Sequence, residues 1–255
     1  MQGNKRNNKG VFLIFDRISA FYDSLMKDIE YEFWIDYIHK IGKKHSASFD
    51  TVLDLCCGTG NSIIPMKKYA RELSGIDLSL EMLRQAKNKG LERIVNGDVR
   101  ALPFKKGFTL VYSIFDSLNY LIEEDDLLRV FKEVKRVLID GGFFIFDMNS
   151  IEGVKYIARQ KEIVEEDDEI YSVWRYKLSG DVITLYLSVF PKNEKDGDRV
   201  DEVHRERGYS IEKVKELLLK AGFRPVVEYE CFTNRLARKG SKRVLYVAEN
   251  RKEKF

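Results

Sequence analysis

A short apolar run, Val52-Leu53-Asp54-Leu55, passes directly into Cys56-Cys57-Gly58-Thr59-Gly60, and a second stretch, Leu73-Ser74-Gly75-Ile76, ends on an acid, Asp77. The first run suits a buried strand, and Gly58 and Gly60 let the backbone turn tightly and approach a ligand with no Cβ in the way. An acid roughly 20 residues further on, ending the second strand of a strand-helix-strand unit, can accept hydrogen bonds from ribose hydroxyls. The pattern predicts an α/β chain with a nucleoside site at the carboxyl ends of its strands.

The residues around the glycines choose between nucleosides. A dinucleotide site wants a third small residue three positions after the second glycine and a helix N-terminus aimed at a pyrophosphate. Ile63 stands at that position, and Asp54 sets a carboxylate where it repels a pyrophosphate and favours an ammonium. S-adenosylmethionine meets that demand, with an ammonium, a cationic sulfur and no phosphate. Val52 to Gly60 resembles the first motif of the class I S-adenosylmethionine-dependent methyltransferases, Gly75-Ile76-Asp77-Leu78-Ser79 with Met82-Leu83 resembles their second, and Asn96-Gly97-Asp98-Val99 with Leu102-Pro103-Phe104 resembles their third. Tyr22-Asp23 is similar to an N-terminal pair in a small-molecule subgroup, where that segment closes over the cofactor.

The resemblance implies a Rossmann-like, doubly wound fold: a mostly parallel seven-stranded sheet with helices on both faces and the last strand antiparallel. It also implies roles. Asp54 would orient the methionine ammonium, directly or through water. Asp77 would take the ribose hydroxyls, Leu78 and Met82 would flank the adenine, and Asp98 would meet its amino group beside the Val99 amide. Cys56, Gly58, Gly60 and Asn61 belong to the turn expected to line the cofactor. Phe115 would pack against it and the Tyr22 phenol would reach its carboxylate. On the acceptor side Asn119, Tyr120, Asp147 and Asn149 are the candidates, with His204 as general base. Core packing competes for Met82 and Tyr22, capping competes for Asn119, and a structural role competes for His204.

Organisation follows from periodicity. Trp34, Tyr37, Ile38 and Ile41 give Tyr31 to Lys43 one apolar helical face. Ser79 caps a helix from Leu80, Phe108 to Ser113 is a strand, and Asp125-Asp126 open a helix that Gly141-Gly142 stops before the strand Phe143 to Asp147. From about Ser150 to Arg207 alternation replaces helical spacing, which predicts an inserted antiparallel sheet covering the acceptor site. Its strands are Ile170 to Leu178, Val182 to Phe190 and Arg199 to Arg207, with turns at Ser179-Gly180 and Asp196-Gly197. Residues 1–149 and 208–255 then make up the cofactor-binding domain, in which Ser210 caps a further helix and Val226 to Cys231 and Arg243 to Val247 close the sheet.

The bounds agree with one cytoplasmic enzyme of 255 residues. Met1 to Gly10 is polar and basic, predicted disordered, and no apolar stretch approaches a membrane span. Cys56, Cys57 and Cys231 form neither a disulfide framework nor a metal-ligand spacing, so a reducing compartment and no metal are expected. The formal charge of +3 is the small remainder of 44 basic and 41 acidic groups interspersed along the chain, which gives no argument for nucleic acid, and the chain has no base-flipping motif or dense basic patch, so nucleic acid is not expected as a partner. Methyl transfer to an N, O or C nucleophile of a small-molecule acceptor is the expected activity. A non-catalytic S-adenosylmethionine-binding protein and a nicotinamide-dependent oxidoreductase are the alternatives.

Overall fold

The computed structural model describes residues 14–192 and 199–251. The Met1 to Gly10 tail and the Asp196-Gly197 turn lie outside the described residues. A central sheet is built from β1 (Thr51–Leu55), β2 (Glu72–Asp77), β3 (Ile94–Asn96), β4 (Phe108–Ser113), β5 (Leu138–Asn149), β10 (Arg224–Glu230) and β11 (Arg243–Glu249). Its order is β10-β11-β5-β4-β1-β2-β3, and β11 runs antiparallel to both of its neighbours. The helices are α1 (Tyr22–Leu25), α2 (Tyr31–Lys44), α3 (Ile63–Met66), α4 (Leu80–Asn88), α5 (Glu124–Val137), α6 (Ile151–Ala158) and α7 (Ile211–Lys220). A second sheet pairs β6 (Glu162–Glu166), β7 (Ile170–Ser179), β8 (Val182–Pro191) and β9 (Val200–Arg207) in that order, all antiparallel. This is the α/β architecture that the motifs imply.

Strand alternation divides the core between two faces of the main sheet. Phe144 and Phe146 of β5 pack with Leu127, Phe131 and Val134 of α5 and with Val214 and Leu218 of α7. Ile145, one residue out of phase, faces Trp34, Ile38 and Ile41 of α2 together with Val52 and Leu110. The side chains of Ser79, Ser150 and Ser210 cap α4, α6 and α7, each accepting a backbone N–H three residues on.

Three expectations are corrected. Gly141-Gly142 does not stop the helix: α5 ends at Val137, β5 starts at Leu138, and the glycines lie within the strand. Leu138 is fully buried in the core, and the β4–β5 register shifts between Phe108 and Leu110, which absorbs the irregularity. The inserted region opens with α6, whose Gly153 and Val154 are buried, and its sheet has a further strand, β6. The exposed acids of β6 hide its strand pattern.

Glycines make the junction between the two sheets possible. A Cβ on Gly153 would come within 2.1 Å of the Lys242 carbonyl oxygen, and one on Gly208 within 2.7 Å of both the Ser150 oxygen and Val154 Cγ2. Gly153→Ala and Gly208→Ala should each lower unfolding free energy by about 1–3 kcal/mol. Gly107→Ala, which meets nothing within 4 Å, should stay within about 0.5 kcal/mol. Chemical denaturation of the three variants checks the contrast.

Candidate active site

The turn after β1 takes its shape from backbone dihedrals that few residues adopt. Cys56, Gly58 and Gly60 have φ of 60°, 52° and 82°. Glycine relieves the last two positions, whereas Cys56 carries the strain of a side chain in the left-handed region. A Cβ at Gly60 would meet Leu91 Cδ1 at 2.1 Å, so that glycine serves the packing of the turn on the α4–β3 connection. Asp77 holds the turn against β2: Gly58 N–H donates to its Oδ2 (2.8 Å) and Ser79 N–H to its Oδ1 (2.9 Å). Leu78 lies exposed beside it, and Met82 is buried beneath Gly58.

Asp54 is 1% exposed, and its bonds come from hydroxyls: Ser62 Oγ donates to Oδ2, as does Tyr112 Oη at 2.8 Å. Burial drives its carboxyl up to about 7, the two hydroxyls pull against that, and Asp77 adds repulsion. Burial likewise raises Asp77 and the thiols of Cys56 and Cys57. Asp98 is engaged by Arg100, which donates at 2.7–3.0 Å and also reaches Asp126 at 2.8 Å. Those bonds hold the Asp98 carboxyl below its ordinary value. Val99 packs on the core next to it.

The N-terminal segment crosses this site. Asp23 accepts from Thr59 Oγ1 (2.7 Å) and Asn61 Nδ2 (3.0 Å) and pairs with Lys89 (2.5 Å), which also bonds Asn61 Oδ1. Ser79 Oγ donates to Asp16 Oδ1 at 2.6 Å. Burial raises the Tyr22 phenol, which is hydrogen-bonded to Tyr31, and Phe15 lies edge-on to Tyr22 at 5.9 Å. At its other margin the segment is tied to the second sheet, where the Glu202 carboxylate accepts the backbone N–H groups of Phe15 and Arg17 (both 2.9 Å) and of Ile18 (3.3 Å).

Beyond β4 and β5 lies a charged network. Phe115 and Asp116 have φ of 65° and 47°. Arg243 donates to Asp116 Oδ1 (2.8 Å) and Asp147 Oδ2 (2.7 Å), Asp116 N–H donates to Asp147 Oδ2 (3.1 Å), and Asn149 Nδ2 donates to Asp116 Oδ2. The guanidinium lies over Trp34 and Phe115 at 4.8 and 5.2 Å. Burial raises Asp147 despite Arg243. Tyr120 Oη lies 3.2 Å from His204 Nδ1, and burial, with Glu206 and Asp116 nearby, pushes its phenol up.

Two acceptor-side expectations change. Asn119 is fully buried: its Nδ2 donates to the Asn149 and Arg207 carbonyls (2.9 and 2.6 Å) and its Oδ1 accepts Asn149 N–H (3.0 Å). Its amide therefore knits the strand ends together and has no donor left for an acceptor. His204 is 2% exposed, its Nε2 lies 3.2 Å from Glu202 Oε2, and Phe15 covers the ring at 4.8 Å. The imidazole is enclosed between Glu202 and Tyr120 rather than open as a base. Arg243, Glu206, Asp116 and Tyr31 were not singled out in the sequence. The alternation placing Glu202, His204 and Glu206 on one face of β9 was the available signal for Glu206.

The acid-rich site fits S-adenosylmethionine. Asp54 and Asp77 stand as buried carboxyl groups beside the glycine turn, and the partners of Asp54 are hydroxyls rather than a cation. A family model described as a methyltransferase domain matches residues 52–142. A solved S-adenosylmethionine-dependent methyltransferase from Clostridium acetobutylicum ATCC 824 superposes with a TM-score of 0.82 at 32% identity, covering 92% of this chain and 98% of its own. The chain belongs to the S-adenosylmethionine-dependent methyltransferases. YqeM of Bacillus subtilis (strain 168) is 30% identical over 94% of this methyltransferase and 98% of its own length. CalS10 of Micromonospora echinaspora, solved with S-adenosylmethionine bound, shares the fold with a TM-score of 0.71 at 16% identity. No described helix of the methyltransferase is long and apolar enough to cross a membrane, and the described residues hold no cluster suited to a metal.

A ligand ammonium placed beside Asp54 would favour its carboxylate, lower the group from about 7 and release a proton. The affinity of S-adenosylhomocysteine, which keeps the ammonium, should rise with pH through about 7, and Asp54→Asn should flatten that dependence. Calorimetry in buffers of different ionisation enthalpy reads the proton directly. A wild-type affinity independent of pH between 5 and 8 would contradict the coupling. Asp23→Ala, which removes three contacts of the N-terminal segment, should weaken the same ligand by about fivefold.

Proposed function

We propose that this methyltransferase transfers the methyl group to a nucleophilic atom of a small molecule held between the carboxyl ends of β4 and β5 and the inserted sheet. The observation that carries the reading is the convergence of Tyr120, Asp116 and Glu206, drawn from the main domain and from β9, at the site's inner edge. The second sheet and the N-terminal segment pack around these groups, and a compact acceptor bound among them would be shielded from water. CalS10, which shares the fold, is an amino pentose methyltransferase and so acts on an acceptor of that size.

The cofactor supplies an electrophilic methyl on a cationic sulfur. Asp54 then balances the ammonium, Asp77 binds the ribose, and Leu78, Val99 and Asp98 surround the adenine, with Cys56, Gly58, Gly60, Asn61 and Met82 forming the bed of the turn. Tyr22 and Phe115 close on the methionine portion. Tyr120, steadied by His204, and Asp147 and Asn149, steadied by Arg243 and Asp116, orient the acceptor. Alignment behind the methyl supplies much of the rate. Three cysteines outside any disulfide support a reducing, cytoplasmic setting.

Incubation with methyl-labelled cofactor and fractionated metabolite extract tests the reading: label should appear in a low-molecular-mass fraction. Incorporation confined to macromolecules would overturn it. Residues 150–207 determine the acceptor on this proposal. Replacing them with a short linker should abolish transfer and preserve S-adenosylhomocysteine binding, as followed by calorimetry on a variant shown by circular dichroism to be folded.

A further inference from the structure

The acceptor side holds more carboxyl groups than its one guanidinium can pair. Asp116, Asp147 and Glu206 gather around Arg243, whose guanidinium is already divided between Asp116 and Asp147. The Asp147 side chain is 0% exposed, and its Oδ1 has no hydrogen-bond partner among the described residues. A carboxylate oxygen left bare in the interior is costly until a donor reaches it. Glu206 lies on the inward face of β9; burial and Asp116 push its carboxyl up to about 8, against Arg243 and Tyr120. Tyr176 of β7 faces it as well, and His204 precedes it on the same face. The aromatic wall of Trp34 and Phe115 already carries one cation, the Arg243 guanidinium.

An alcohol or carbon acceptor brings no positive charge to these carboxyl groups. An ammonium brings both charge and three N–H donors. Taking the pocket as the acceptor site, we propose that the acceptor enters as a protonated amine among these carboxylates and that the Glu206 carboxylate takes its proton. One N–H bond of the ammonium breaks and its proton passes to Glu206. The freed lone pair forms the N–C bond as the methyl–sulfur bond breaks, with that bond's electron pair staying on sulfur. The methylated ammonium and S-adenosylhomocysteine then leave, and Glu206 returns the proton to solvent. An alkylammonium titrates near about 10, within reach of such a carboxyl, whereas a hydroxyl near roughly 15–16 is not.

The probes are benzylamine, cyclohexylamine and glucosamine, set against benzyl alcohol, cyclohexanol and glucose, with labelled S-adenosylmethionine at saturation. At least one amine should be methylated at nitrogen, and its hydroxyl counterpart at least tenfold more slowly. Because transfer needs the carboxylate, kcat/KM for the amine should rise with pH through about 8. Glu206→Gln should cut turnover by about 10²–10³-fold and remove that limb while S-adenosylhomocysteine binds as before. Glu206→Asp should restore part of the rate and the limb. Preferential methylation of the alcohols, rejection of all three amines by an enzyme that binds S-adenosylhomocysteine, or a Glu206→Gln variant with unaltered turnover and pH profile would each overturn the inference and leave the methyltransferase reading intact. Failure to bind S-adenosylhomocysteine at all would instead strike at the cofactor site.

Discussion

Buried carboxylates at the carboxyl ends of the strands are the constraint on which the rest of the structure turns. Asp54, Asp77, Asp147 and Glu206 are all raised by burial, so the fold tolerates groups that would each be more comfortable in water. Backbone N–H groups, hydroxyls and Arg243 offset part of that cost. A cofactor bearing a sulfonium and an ammonium would offset more of it where those groups meet the negative charge of the acids. The same charge would penalise a phosphate-bearing dinucleotide, which is why this glycine turn suits one nucleoside and not the other.

Part of the backbone strain falls in the same region. Cys56, Phe115 and Asp116 are non-glycine residues with φ in the left-handed region, and they flank the β1 and β4 ends that frame the site. Such conformations persist only where surrounding bonds over-determine them. Here Cys57 N–H donates to the Ile76 carbonyl, Asp77 holds Gly58, and Arg243, Asp147 and Asn149 hold Asp116. The acids that make the site attractive to a cation are thus also the groups that keep its loops in shape, so removing one alters charge and geometry together.

The sequence disclosed the parts governed by local chemistry. Glycine turns, capping serines and apolar strands announce themselves over a few residues, and they were enough for most strands, for α2, α4, α5 and α7 and for the acids at the ends of β1 and β2, whereas the direction of the last strand came from the resemblance. Boundaries failed where tertiary packing overrode a local signal, as at Gly141-Gly142, where a buried Leu138 starts the strand before the glycines. The acceptor side was harder because its members come from distant elements: Asp116 follows β4, Glu206 lies on β9 and Arg243 opens β11. Nothing in the neighbourhood of Arg243 in the chain says that it meets Asp116 and Asp147. Asn119 illustrates the reverse error, in which a polar residue in a suggestive place is consumed by the fold's own hydrogen bonds, and His204 is taken up by burial beside Glu202, Tyr120 and Phe15.

The N-terminal segment is fastened at two margins by bonds of unequal strength. On the inserted sheet, Glu202 receives three backbone N–H groups at a site 8% exposed, and Ile18 and Leu25 pack with Ile170, Leu187 and Val189. Charge-assisted bonds of that kind are worth about 1.5–3 kcal/mol each, and losing the acceptor would leave three donors stranded. On the glycine turn, Asp23 is about half exposed and its pair with Lys89 is open to solvent, a contact worth about 0–1 kcal/mol. That margin also carries the Asp23 bonds to Thr59 and Asn61 and the bond from Ser79 to Asp16, so the two attachments differ in burial rather than in being present or absent.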